Sequence, residues 1–422
     1  MAGHGSLVTL TEESRSLRPD RGESNPESQA SVFRLEFRHH PLFASLHSKP
    51  AQVAESVDAA DLKSAVRKDV RVQVPPWAPR TIRTMKAANY LEKGQVEVGD
   101  SVPVAPKSGE VRLDVGYCGI CGTDMHIYQG HMDARVQTPL TIGHEVSATV
   151  AELGEFVTSV EVGDRVAVRP LNFGEAHPCD KGHAHVGKNL KFIGIDAPGG
   201  MQHSWTVPAH TLHKLPDGVS LEQGALAEPA AVACHDVRLG RVKEGETVVV
   251  IGGGPIGILV ALVAKEKGAR VIVSEINDKR LEKIDTLGLE TVNPLKKDLA
   301  ETISSKTNEA MADVVFEVSG SQSGVDAMTS IVNVRGRIVV VGIHPHPRQI
   351  DLFRFFWSEL ELIGTRLYEK EDFEEALALI GEGKLPIEEL ITKVYPIDHV
   401  KEAFQTIENN PEGIKYLVKC DE

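Results

Sequence analysis

Cys121, Thr123 and His126 stand in the run GYCGICGTDMHIY, the triplet GHE follows at Gly143, His144 and Glu145, and a further acid, Glu228, stands in AEPAAVACH. A soft sulfur, an imidazole and carboxylates are the ligand types of an open catalytic zinc site, which keeps one position free for a substrate oxygen. Taken singly, each residue has an ordinary explanation: a cysteine in a glycine-rich turn is usually a small buried side chain, and an isolated histidine a satisfied core residue. Their combination, followed downstream by a nucleotide fingerprint, favours the metal reading. A metal bound to an alcohol oxygen stabilises the alkoxide, so the predicted chemistry is oxidation of a hydroxyl.

The fingerprint is TVVVIGGGPIG. Gly252, Gly254 and Gly257 have GxGxxG spacing: a tight turn, close approach of backbone to a pyrophosphate, and close packing of helix on strand. Pro255 and Ile256 open the helix whose N-terminus faces the phosphates. A second strand ends in Glu275, the distance at which an acid grips the adenosine ribose and repels a ribose phosphate. NAD is therefore the expected cofactor, while nearby Lys279 and Arg280 leave NADP open.

Positioning these groups takes two kinds of element. Residues 85–228 contain short, glycine-punctuated strands, 111–117, 146–153 and 165–169, which suit an antiparallel, partly barrel-like zinc-binding domain. Residues 229–366 alternate strand and helix, with a strand buried on both faces over 248–251 and a helix over 255–267, and suit a doubly wound parallel sheet of the α/β class. Later strands are expected at 313–318 and 337–341, and a helix at 372–382.

With these motifs in this order, the chain resembles the zinc-dependent medium-chain alcohol dehydrogenases, nearest their polyol (sorbitol-like) and threonine dehydrogenase branch, from about Met85 to the C-terminus. The resemblance implies a Rossmann sheet plus a GroES-like catalytic domain to which residues 367–422 return. It implies that Cys121 and His144 are direct zinc ligands, with Glu145 and Glu228 both at the metal site. Thr123 is implied to bind the substrate hydroxyl and pass its proton on, with His126 at the outer end of that relay; the plain alternatives are a helix-capping turn and a surface side chain. Val318, Ser319, Val341 and Gly342 are implied to meet the nicotinamide, and Arg280 to stack on adenine or simply to solvate a helix. Cys118 reads as a buried thiol, not as half of a redox pair. Many relatives carry a four-cysteine structural zinc lobe after VGDRVAV; here FGEAHPCDKGHAHVGKNL keeps only Cys179. His177, His183 and His185 cluster around Cys179 and could bind a metal differently, but sorbitol dehydrogenase-like members do without this lobe's metal, so one catalytic zinc per subunit and no structural zinc are expected.

The implied activity is hydride transfer between a secondary alcohol, a polyol or vicinal diol, and NAD, giving a ketone or ketose. L-Threonine 3-dehydrogenase is the nearest alternative, with Arg366 a candidate partner for its carboxylate. A zincless quinone reductase or a cofactor-binding protein without activity would be expected to lack the Cys121, His144 and Glu228 set. The resemblance also implies a homodimer or homotetramer.

Composition agrees. The chain has 422 residues, 41% of them hydrophobic, enough for two domains, and its net charge of −14 argues against nucleic-acid binding. No apolar run reaches the ~18 residues of a membrane span. Five irregularly spaced cysteines make no disulfide framework, and a thiolate ligand is easiest to keep in a reducing cytoplasm. Residues 1–84 do not fit this picture: they are rich in Ser, Arg and Pro without a sustained period, and are expected to be a disordered or spurious extension. Residues 60–65 and 71–79 can be encoded by DNA that folds as the anticodon and T arms of a tRNA gene. Translation is therefore expected to begin at Met85, and a genomic sequence with no tRNA gene under this stretch would refute that reading.

Overall fold

The computed structural model describes residues 85–410 and 412–421, all within one compact unit. The expectation for residues 1–84 lies outside the described residues.

The β-branched run Thr247–Ile251 forms a central parallel strand, with Val248, Val249 and Val250 fully buried because helices cover both faces. Its six-stranded sheet runs Glu290–Val292, Arg270–Ser274, Thr247–Ile251, Ala312–Glu317, Val332–Val340, Glu361–Gly364, every pairing parallel. This is the doubly wound sheet the strand–helix alternation predicts. The helix Pro255–Glu266 leaves the first strand with Pro255 in its first turn, where a missing N–H costs nothing. It buries every residue from Gly257 to Ala264.

The second sheet has seven strands in the order Leu212–Lys214, Arg165–Val168, Glu145–Leu153, Glu110–Ile120, Lys415–Lys419, Ile391–Pro396, with Ser204–Pro208 also pairing with Glu110–Ile120. It is antiparallel apart from the pairing of Ile391–Pro396 with Lys415–Lys419. The end of the chain thus lies inside this sheet. Its strand registers Tyr416 against Ile120 and Leu417 against Gly119.

The two sheets share one apolar core, in which Ala230, Ala233 and Val237 of the helix Ala227–Leu239 join Val248 and Val250. A polar clamp ties that helix to Lys370–Gly381: Asp372 accepts from Arg238 Nε at 2.7 Å and lies 2.8 Å from His235 Nδ1. Burial works against the Asp372 carboxylate, but His235, Arg238 and the Glu369 N–H outweigh it and hold its pKa well below the usual range. No helix among the described residues is long and apolar enough to cross a membrane.

Candidate active site

Strand register brings the sulfur and the imidazole together. Gly119 of Glu110–Ile120 pairs with Glu145 of Glu145–Leu153, so Cys121, just past one strand, and His144, just before the other, emerge side by side. The ligand atoms of Cys121, His144 and Glu145 lie within 4.8 Å of one another. Two glycines permit this crowding. A Cβ on Gly119 would come within 1.9 Å of Glu145 Oε2, and one on Gly143, whose φ is +96°, within 2.5 Å of Cys118 Sγ. Cys118 is accordingly a buried thiol, outside the ligand cluster.

Glu228, at the start of Ala227–Leu239, is not within that cluster. Its Oε1 accepts a 2.8 Å hydrogen bond from the Tyr368 hydroxyl. Burial, reinforced by Glu145 and opposed by His144, pushes the Glu228 pKa up. Glu145 is itself paired with the buried Lys415 ammonium, which also donates to Ile120 O at 3.0 Å. Burial disfavours that charge, yet Glu145 and Cys121 outweigh it and raise the Lys415 pKa.

Asp124 completes the setting. Its Oδ2 accepts from the Cys121 N–H at 2.9 Å, while Oδ1 lies 3.6 Å from His144 Nδ1. Both Oδ1 and Nδ1 are buried without a hydrogen-bond partner. Burial lowers the His144 pKa, but Asp124 and Cys121 outweigh it and raise the value well above that of an ordinary histidine. A buried imidazole drawn towards a proton it cannot share, beside a cysteine and a glutamate, could hold a divalent cation, and the donor set fits zinc.

Thr123 and His126 lie on the short helix Gly122–Tyr128 that leaves Cys121. His126 Nδ1 lies 3.4 Å from His131 Nδ1, and burial together with His131 lowers its pKa. His131 is a group the sequence did not single out.

At the parallel sheet, Gly252 has φ +109°, and a Cβ on Gly257 would lie 1.9 Å from Gly252 O. Glu275 accepts from Gly253 N at 2.8 Å, Ile276 N at 2.7 Å and Asn277 N at 2.8 Å, which fixes its carboxylate over the glycine turn. Arg280 Nη1 lies 3.9 Å from that carboxylate and its Nη2 donates to Gly413 O, while Lys279 is paired with Glu412. Both cations that left NADP open are thus already engaged. Val318 and Ser319 meet Val341 and Gly342 around Glu317: the N–H groups of Val341 and Gly342 each donate to Glu317 O at 2.9 Å, and Ser319 N to its side chain at 3.1 Å. Pro255 and Ile256 begin the helix behind Gly254. The candidate residues thus fall into two groups, one around Cys121 and His144 and one around the glycine turn after Thr247–Ile251. Asp124, Lys415, Tyr368 and Glu317 are the partners that sequence reasoning missed. Asp124 had a signal, three residues past Cys121; the other three are brought in by long-range topology.

Residues 107–217 match the family described as alcohol dehydrogenase GroES-like domain, and residues 255–382 the family described as zinc-binding dehydrogenase. The chain is 54% identical to the 2-dehydro-3-deoxy-L-galactonate 5-dehydrogenase of Pseudoalteromonas atlantica, across 80% of this chain and 99% of that protein. It is 33% identical to the sorbitol dehydrogenase of Halalkalibacterium halodurans, across 77% and 96%. Among solved structures, the 2R,3R-butanediol dehydrogenase of Bacillus subtilis superposes with a TM-score of 0.74 at 32% identity, covering 80% of this chain and 99% of that one. An Escherichia coli alcohol dehydrogenase in complex with NADH gives the same TM-score at 30% identity, covering 79% and 99%. The chain belongs to the zinc-type medium-chain alcohol dehydrogenase family, among relatives that act on polyols and diols. It is an oxidoreductase of that family, with an α/β fold that joins a Rossmann sheet to a GroES-like domain.

Proposed function

We propose that this enzyme oxidises the C5 hydroxyl of a 2-dehydro-3-deoxy-aldonate, the reaction named for its Pseudoalteromonas relative, with NAD as acceptor. The observation that carries the reading is the 54% identity over 99% of that relative, joined to the convergence of Cys121, His144 and Glu145. Cys121, His144 and Glu145 would hold the zinc, and Glu228, tethered by Tyr368, is the acid able to exchange into the site. Bound zinc supplies Lewis acidity to the substrate oxygen, and NAD supplies the hydride acceptor.

The chain's own groups do the rest. Thr123 takes the hydroxyl proton and hands it outward. His126, whose lowered pKa leaves it neutral near pH 7, accepts it, with His131 alongside. Asp124 orients His144, and Lys415 holds Glu145 over Gly119. Glu275 takes the adenosine ribose hydroxyls, the glycines from Gly252 to Gly257 and the helix start at Pro255 and Ile256 cradle the pyrophosphate, and Arg280 covers the adenine side. Val318, Ser319, Val341 and Gly342 present backbone to the nicotinamide. One zinc per subunit is part of this reading: Glu369, beside His183 and His185, is already held by Arg238 at 2.6 Å, and His177, Cys179 and Asp180, whose ligand atoms also lie within 4.8 Å of one another, supply a single thiolate where a structural site takes four. The four domain segments, with boundaries at residues 84, 228 and 366, are part of the same reading, as are a cytoplasmic setting and a homodimer or homotetramer.

NAD reduction measured with 2-dehydro-3-deoxy-L-galactonate, sorbitol, 2,3-butanediol and L-threonine tests the substrate. The highest kcat/KM is expected for the sugar acid. A clear preference for a neutral polyol, or for threonine, overturns it.

A further inference from the structure

We propose that Arg366 is the anchor for the carboxylate of the substrate, with Arg135 as its second cation; this rests on the sugar-acid reading above. Arg366 lies in the turn between Glu361–Gly364 and Lys370–Gly381, two residues before Tyr368, whose hydroxyl holds Glu228. Leu367 between them has φ +58°, a left-handed conformation that a leucine adopts at a cost and that commonly marks functional loops.

Arg135 grips Asp196 with two hydrogen bonds, Nε to Oδ1 at 2.8 Å and Nη2 to Oδ2 at 2.6 Å. Asp196 Oδ2 also accepts from the Phe192 N–H at 2.8 Å, and the Phe192 ring packs edge-on against His144 with centroids 5.1 Å apart. Arg366 is therefore tied by sequence to the group that holds Glu228, and lies in the field of a pair that is one residue removed from His144.

The charges at this place do not balance. Arg366 is exposed and makes no hydrogen bond or ion pair among the described residues, yet it interacts electrostatically with both Arg135 and Asp196. Asp196 is committed to Arg135 and to the Phe192 N–H, so one carboxylate serves two guanidinium groups. In a chain of net charge −14, a surplus cation near the metal site is an invitation to an anion. A guanidinium offers a carboxylate the planar, two-pronged donor geometry that a lysine lacks. With the C5 oxygen at the metal, the C1 carboxylate stands towards the other end of the six-carbon acid, where Arg366 would meet it.

The test is kcat and KM, at saturating NAD, for the whole protein and for Arg366→Ala and Arg366→Lys, on 2-dehydro-3-deoxy-L-galactonate and on 2,3-butanediol. Loss of a charge-assisted, two-pronged contact is expected to raise KM for the acid by roughly 10- to 100-fold, with a smaller change in kcat. The ratio of kcat/KM for acid over diol falls by a similar factor, and Arg366→Lys recovers part of it. If KM for the acid does not move, or both substrates lose equally, Arg366 does not bind the carboxylate and the substrate reading stands. If the unaltered enzyme oxidises the diol but not the acid, the substrate reading fails and this inference falls with it.

Discussion

At the residue scale, the crowding of Cys121, His144 and Glu145 makes specific demands. Replacing Cys121 by Ser is predicted to lower both zinc retention and NAD-linked turnover, the latter on the order of 10²–10⁴-fold, because several kcal/mol of transition-state stabilisation depend on the metal. Metal analysis beside steady-state kinetics checks this, and full activity in a zinc-free variant would count against the ligand assignment. Gly119→Ala is a subtler probe, since its new methyl would lie 1.9 Å from Glu145 Oε2 and must displace that carboxylate from Lys415. It is expected to cost about 1–3 kcal/mol of stability as well as activity, and unchanged values of both would show that Glu145 can move freely. At the cofactor, Glu275→Ala is expected to raise the KM for NAD roughly 10-fold or more and to narrow its preference over NADP. The convergence of Cys121, His144 and Glu145 was legible because each sits in a short motif, whereas Glu228, expected with them, lies outside their cluster. Lys415 and Tyr368 were not legible as site groups: nothing local marks a lysine in a C-terminal strand as the partner of a glutamate some 270 positions earlier, and only strand order reveals it.

At the scale of elements, the clamp between Ala227–Leu239 and Lys370–Gly381 carries a pH signature. Asp372 is buried and its folded-state pKa is depressed, so its contribution to stability is fully present above the unfolded value of about 3.9. It is lost as pH falls from there through the folded value. Asp372→Asn is predicted to destabilise the enzyme by roughly 2–4 kcal/mol at neutral pH, less than a fully enclosed pair because the Arg238 side chain is 35% exposed. The variant should also show a shallower loss of stability on the acid side, measured by denaturant titration from about pH 5 down to about pH 2. Equal slopes in both proteins would mean that Asp372 is not the linked group. The sequence predicted the second helix over 372–382, whereas it begins at Lys370. The reason is chemical: the Glu369 N–H donates to Asp372 at 2.8 Å and starts the helix before its apolar period begins. Similarly, the strand expected over 111–117 continues to Ile120, because the strand Lys415–Lys419 pairs with its far end.

For the whole molecule, one region is conspicuous for what it leaves open. Glu361–Gly364 is the edge of the six-stranded sheet, and the adjoining helix Leu352–Ser358 exposes Leu352 by 71%, Phe356 by 78% and Trp357 by 73%. An open edge beside a large apolar face is a surface that association would cover. Light scattering is expected to show a dimer or tetramer, and Phe356→Glu with Trp357→Glu to shift it towards monomer; a monomeric unaltered enzyme would contradict this. The pairing of a large antiparallel sheet with a parallel one was readable from the periods of 2 and 3.6 and from the glycine fingerprint. The return of the C-terminus into the antiparallel sheet came from family resemblance, since a five-residue strand gives no signal of its partner. The proposed activity depends on a bound metal acting beside NAD. The most direct measurement is zinc content per chain together with NAD reduction on the sugar acid before and after exhaustive chelation. The account predicts about one zinc per chain, activity lost with the metal and restored by zinc. Undiminished NAD-linked activity in protein stripped of zinc would contradict it.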